Sequence, residues 1–151
     1  MTILGIDPGS QCGWAIGRDD YVIESGVWQL KPGVGESPGM RYLRLRAKMA
    51  VVREAYPRLA LICYEQAHHR GRAATEYGIG VATTIQAWAA EWKIEHSHVH
   101  AATLKKWATG SGRASKEDMV RCGREKFGRL EATHDEIDAL WILNWAMENG
   151  G

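Results

Sequence analysis

The chain predicts an α/β fold, a five-stranded mixed sheet flanked by helices. Three observations lead there. Short apolar runs with strand character open the chain, helical and strand patterns then alternate, and the chain closes on short capped helices. At 151 residues, with 45% hydrophobic and 25% charged residues, the composition is that of one globular domain spanning residues 1–151. It excludes a disordered, collagen-like or disulfide-stapled chain. No apolar run approaches the ~18 residues a membrane span needs, and no signal peptide is expected at the start. Cys12, Cys63 and Cys122 show no C-x-x-C spacing and read as free thiols of a reducing cytoplasm.

Thr2–Ile6 is a short apolar run that stops at Asp7-Pro8-Gly9, a turn signal. Gly13–Gly17 and Tyr21–Leu30 read as the next strands, close enough to form an antiparallel meander. Lys31–Gly39, rich in Pro and Gly, reads as a long loop rather than a domain boundary. Met40–Tyr56 has helical spacing, with Leu43, Ala47, Ala50/Val51 and Ala55 on the stripe expected to face the core. Leu59–Tyr64 reads as a central buried strand. Ala73–Trp92 is a long helix, Ile94–His100 a strand and Ala101–Trp107 a short helix. Two further helices start at Ser115 and Thr133. Thr133-x-x-Glu136 reads as a capping box, and Ser115-x-x-Asp118 resembles one.

Four acids invite a chemical reading. Asp7 and Glu65 end two strands, and if those strands are neighbours their ends lie about 4.7–4.9 Å apart. Two carboxylates so placed repel unless a proton or cation intervenes. Asp135 and Asp138, spaced i, i+3, share a face of the last helix. Carboxylates from three separate elements suit hard divalent cations and metal-dependent nuclease chemistry. Each acid also has an ordinary reading: a turn residue for Asp7, a macrodipole partner for Asp135. Glu65 is the least ordinary, since it ends an apolar run.

The motifs ILGIDPGS (3–10), Tyr64-Glu65-Gln66, TGSGRASK (109–116) and Asp135-x-x-Asp138-Ala-Leu140 closely resemble, in order and spacing, those of RuvC-type Holliday junction resolvases. Lys105, Lys116 and Gly80, fifteen residues after Glu65, match the family pattern too. The resemblance covers most of the chain. It implies a ribonuclease-H-like fold, a homodimer and symmetric hydrolysis of four-way (branched) DNA, leaving 5′-phosphate and 3′-hydroxyl ends. It also implies two Mg²⁺ ions per site, Mn²⁺ substituting, held by Asp7, Glu65, Asp135 and Asp138. Lys116 would neutralise charge on the scissile phosphate, and Lys105 would hold the backbone beside it. A bacterial or phage-infected cytoplasm is the implied setting. The Ser10–Trp14 hairpin is one residue shorter than in the well-known bacterial enzymes, and His68 stands where those often carry an aromatic. Both departures bear on junction selectivity rather than on the chemistry.

Residues 101–130 carry eight basic against three acidic side chains, a face for an anionic partner. Lys106 and Arg113 belong to it. His68, His69, Arg70 and Arg72 follow Glu65 closely and read as DNA contacts, against a plain solvated loop. Gly110–Arg113 either offers N–H groups to a phosphate or is an ordinary turn. His96, His98 and His100 alternate on one strand face and read as half-exposed rather than as a metal site. Trp141 and Trp145 read as core. On the long helix, Ala74, Gly78, Val81/Ala82, Ile85, Trp88/Ala89 and Trp92 form a stripe that either packs on the sheet or dimerises. The resemblance favours the dimer.

Other functions remain in view: a YqgF-type RNA-processing nuclease, a broader flap or fork endonuclease, an actin-like ATPase fragment, or a silent DNA-binding dimer. The paired basic residues and the closing D-x-x-D-A-L favour the junction enzyme. A chain of this length is short for the two domains of the ATPases, and the presence of all four acids gives no sign of lost activity.

Overall fold

The computed structural model describes residues 1–9, 11–66 and 71–150. Ser10, His68, His69 and Arg70 lie outside the described residues. The strands are β1 (Thr2–Asp7), β2 (Gln11–Arg18), β3 (Tyr21–Gln29), β4 (Leu59–Gln66) and β5 (Glu95–His100). The helices are α1 (Met40–Ala55), α2 (Arg72–Glu91), α3 (Ala101–Thr109), α4 (Lys116–Phe127) and α5 (His134–Asn149). The sheet order is β3-β2-β1-β4-β5. The first three strands form the antiparallel meander, and β4 and β5 add in parallel to β1. The parallel additions need crossovers, and α1 and α2 supply them.

Two apolar layers sandwich the sheet. Leu4, Ile6, Ile62 and Tyr64 face α1 and α2, whereas Ile3, Leu61, Cys63 and Val99 face α3, α4 and α5. This is the period-two alternation of strands buried on both faces. Trp141 is buried and Trp145 packs against the same layer. The three cysteines are free. Glu36 of the 31–39 loop accepts two bonds from Arg44, at 2.6 and 2.7 Å, and so pins that loop to α1.

Two helix faces differ from expectation. Helix α1 buries Leu45, Met49 and Val52, while Leu43 and Val51 of the expected stripe are exposed. The helix carries two apolar stripes, and the one with the larger side chains turns inward, where burial removes more surface from water. Helix α2 packs Val81, Ile85, Trp88 and Ala89 against the sheet, so the middle of the stripe read as a dimer surface is core, while Ala74 at its start is exposed. Trp92 stays partly exposed under the Arg53 guanidinium, 3.8 Å from its ring centroid.

The capping boxes also exchange roles. Ser115 and Asp118 form the full reciprocal box, both bonds at 3.1 Å. At α5, Thr133 accepts from the Glu136 N–H. The Glu136 carboxylate instead accepts from Ser25 Oγ at 2.7 Å, and that hydroxyl accepts from Arg129 Nε at 2.9 Å. A box at Thr133 lost out to a longer-range bond that ties α5 to β3.

Candidate active site

The parallel register of β1 and β4 sets Ile6 beside Tyr64, so the next residues, Asp7, the last of β1, and Glu65, the last but one of β4, lie on adjacent strands at one edge. Asp7 is opposite Gly13 of β2. The absence of a side chain at Gly13 lets α5 come down onto the sheet, because a Cβ there would overlap the Asp135 carbonyl oxygen. Gly5 does the same one turn on, where a Cβ would lie 2.9 Å from the Ala139 oxygen. These two glycines set the height of α5 over β1 and bring Asp135 and Asp138 over Asp7.

The electrostatics record the convergence. Burial pushes the Asp7 carboxyl well above the usual carboxylate range, Asp138, Glu65 and Asp135 push it further, and Lys116 opposes them. Asp138 is pushed up to about 7, first by burial, then by Glu65 and Asp135, against Lys116 and Lys105. Asp7 is only 8% exposed, so water does little to screen this field. His134 Nε2 stands 3.3 Å from Asp135 Oδ1, a partner the sequence reading did not single out.

The donor set is four carboxylates, the oxygen chemistry that hard divalent cations require. A field that raises proton affinity at Asp7 and Asp138 attracts a metal cation in the same way. Among the described residues, no three His, Cys, Asp or Glu side chains close into a ready-made metal cluster. The four acids share one electrostatic field.

Lys105 and Lys116 lie within Coulombic reach of these acids. Lys116 is the first residue of α4, and the Ser115–Asp118 box fixes that helix start. Lys106 is exposed on α3, and Arg113 is exposed on the turn before α4. In that turn the N–H groups of Ser111 and Arg113 donate to Thr109 Oγ1 and Ser111 Oγ, which fits the ordinary turn. Arg72 is exposed and paired with Glu76 at 3.1 Å. On β5, His96, His98 and His100 are exposed and Val99 is buried, the half-exposed strand expected. No helix of the described residues is long and apolar enough to cross a membrane.

No family model matches the chain. It is 34% identical to the crossover junction endodeoxyribonuclease RuvC of Anaeromyxobacter dehalogenans strain 2CP-C, over 94% of this chain and 78% of that protein. The protein of the same name from Nitratidesulfovibrio vulgaris Hildenborough is 32% identical over 79% of this chain and 73% of its own length. Among solved structures, Thermus thermophilus RuvC in complex with a Holliday junction substrate superposes with a TM-score of 0.79 at 22% identity, covering 99% of this chain and 96% of that one. The yeast mitochondrial Holliday junction resolvase superposes with a TM-score of 0.65 at 14% identity, covering 96% and 78%. The structural likeness is one of fold, the ribonuclease-H-like sheet order with its flanking helices.

Proposed function

This chain belongs to the RuvC family of crossover junction endodeoxyribonucleases, and from that premise we propose that it resolves four-way DNA junctions. The reaction is hydrolysis of symmetry-related phosphodiester bonds, leaving 5′-phosphate and 3′-hydroxyl ends. The observation that carries this reading is the meeting of Asp7, Glu65, Asp135 and Asp138 at one sheet edge, with Lys105 and Lys116 beside them. These four acids would hold two Mg²⁺ ions, for which Mn²⁺ would substitute. Bound there, such ions would supply positive charge at the scissile phosphate and would lower the pKa of a water near it.

The chain's own residues do the rest. Asp7 and Glu65 lie side by side on adjacent strands, and Asp135 and Asp138 on a helix set close over β1 and β2 by Gly5 and Gly13, so the four acids are gathered before DNA arrives. Lys116, exposed at the mouth of the site, neutralises charge that builds on the phosphate. Lys105 holds the adjoining backbone. Arg72, Lys106 and Arg113 add phosphate contacts, and His68, His69 and Arg70 belong to the same DNA-facing segment by sequence. Lys116→Ala is expected to lower the single-turnover rate by ~10²-fold and junction affinity by less than about threefold. Arg72→Ala and Lys106→Ala should instead weaken binding and reduce the salt slope by roughly 0.9 each. Rate and affinity measured across a salt series separate the two groups, and equal losses in all three would remove the distinction.

Paired cuts need two sites related by a two-fold axis, which a homodimer provides. The surface we assign to it is the outer face of α2. No formal charge occurs from Tyr77 to Ala90, although Ile79, Thr83, Ala87 and Ala90 are exposed. Ile79, at 56% exposure, is the residue to charge. Ile79→Glu should convert a sedimenting dimer to a folded monomer at micromolar concentration, with its far-UV circular dichroism unchanged and its thermal midpoint lowered by no more than the lost association. A full dimer in the variant places the interface elsewhere.

The function itself is tested by mapping cuts on a synthetic immobile four-way junction in Mg²⁺, beside linear duplex, flap, fork and RNA controls. Paired symmetric cuts confined to the junction are expected. Equal cutting of flaps and forks would make the enzyme a general branched-DNA nuclease, and preferential RNA cutting would favour an RNA-processing role.

A further inference from the structure

The turn after Asp7 is held from the side of the sheet opposite α5. Tyr77, in the second turn of α2, donates its hydroxyl hydrogen to the Gly9 carbonyl oxygen at 2.6 Å, across 68 residues of sequence. Gly9 lies two residues past Asp7, and Pro8 between them has no N–H with which to anchor the turn. The Tyr77 ring is itself fixed by α1. The Arg41 guanidinium carbon lies 4.7 Å from its centroid, and the Tyr42 ring stacks on it at 6.2 Å and 29°. Arg41 Nε is buried without a hydrogen-bond partner among the described residues, and the cation faces the Tyr77 ring. Tyr42 reaches its place because residue 80 is glycine; a Cβ there would overlap the Tyr42 ring. Gly80, Tyr42 and Arg41 thus set one rotamer of Tyr77.

We propose that Tyr77 is a positioning residue for strand scission, tying the Asp7-Pro8-Gly9 turn to α2 so that Asp7 keeps its place against the other acids. Asp138, Glu65 and Asp135 all repel Asp7, and they act from the α5 side or from the neighbouring strand. The β2 ladder holds the strand as far as the Asp7–Gly13 pair, and beyond it the turn is restrained from the other layer. The Tyr77–Gly9 bond is the restraint the α1/α2 layer supplies. It also joins the Asp7 turn to α2, the helix assigned above to the dimer. The proposal rests on the reading of the four acids as a metal-dependent nuclease site.

Tyr77→Phe removes the hydroxyl and keeps the ring. The variant is compared with wild type and with Tyr21→Phe, an exposed tyrosine at the opposite end of the sheet from the Asp7 turn. Four readouts are taken: junction affinity, single-turnover cleavage rate, Mn²⁺ affinity by calorimetry without DNA, and thermal midpoint. The expected result for Tyr77→Phe is a rate loss of about tenfold and a several-fold weaker Mn²⁺ affinity. Junction affinity should stay within twofold and the midpoint within a few degrees, and Tyr21→Phe should match wild type throughout. A Tyr77→Phe variant with wild-type rate and Mn²⁺ affinity would overturn the proposal. So would one whose rate loss is matched by a fall in junction affinity or by partial unfolding, since that is a structural role only. Wild-type protein that neither binds Mn²⁺ nor cuts the junction would instead refute the nuclease reading, so the two failures are distinguishable.

Discussion

Asp7→Asn, Glu65→Gln, Asp135→Asn and Asp138→Asn should each lower junction cleavage in Mg²⁺ by at least ~10²-fold while junction affinity holds or rises. The size follows from losing charge stabilisation at the reacting phosphate, where one missing donor already costs ~10²–10³-fold in other enzymes. Affinity behaves in the opposite way because each substitution removes a negative charge that repels the DNA backbone. Asp7 should give the most complete loss, since it is the most buried of the group and feels all three other acids. Single-turnover cleavage and equilibrium binding on one immobile junction check the split. Near-wild-type cutting by the Asp7, Glu65 or Asp138 variant is the result that removes the site assignment.

The metal-free protein should lose stability as pH rises from about 4 to 7, the reverse of the trend set by ordinary ion-paired carboxylates. Asp7 and Asp138 hold their protons more tightly in the folded chain than the unfolded value near 3.9 allows, with Asp138 at about 7. The folded state therefore binds more protons than the unfolded state across that window, and stability falls as they leave. A shift of this size is worth on the order of a few kcal/mol at ~1.4 kcal/mol per unit. In a domain of this length that means several degrees, at about 2–4 °C per kcal/mol. Glu36 and Asp118 are shifted down by hydrogen bonds and act in the usual sense, but both lie at the surface, where water screens the effect. Thermal melts in chelator at pH 5 and pH 8 give the sign. Asp138→Asn should raise the midpoint at pH 8 and flatten the pH dependence. A wild-type midpoint that climbs from pH 5 to pH 8 contradicts the shared field of the four acids.

Every strand and helix was legible in the sequence to within a few residues, because each carried local punctuation: Asp7-Pro8-Gly9 after β1, Ser115 and Thr133 before α4 and α5. The adjacency of Asp7 and Glu65 was legible only as a condition on strand order, which the β1–β4 pairing meets. Helix faces were not legible. In α1, Leu43/Val51 and Leu45/Met49/Val52 are both apolar stripes, and only the competition for the sheet decides between them. In α2 the apolar stripe was visible, but a stripe that packs on a sheet and one that dimerises have the same period. The tie between Glu136 and Ser25 spans 111 residues, and the Tyr77–Gly9 bond 68. Contacts of that range leave no local pattern. Gly13 and Gly80 were visible as glycines, yet their reason, the close approach of Asp135 and Tyr42, lies in distant elements.

The claim that Asp7, Glu65, Asp135 and Asp138 form one metal site is tested most directly by anomalous diffraction from crystals of the protein grown with Mn²⁺ near pH 8. At that pH the Asp138 proton, held up to about 7, has left. Two anomalous peaks per protomer are expected at the edge where β1 and β4 end, with all four carboxylates supplying ligands. Peaks confined to other places, such as the His96–His100 face of β5, would contradict it.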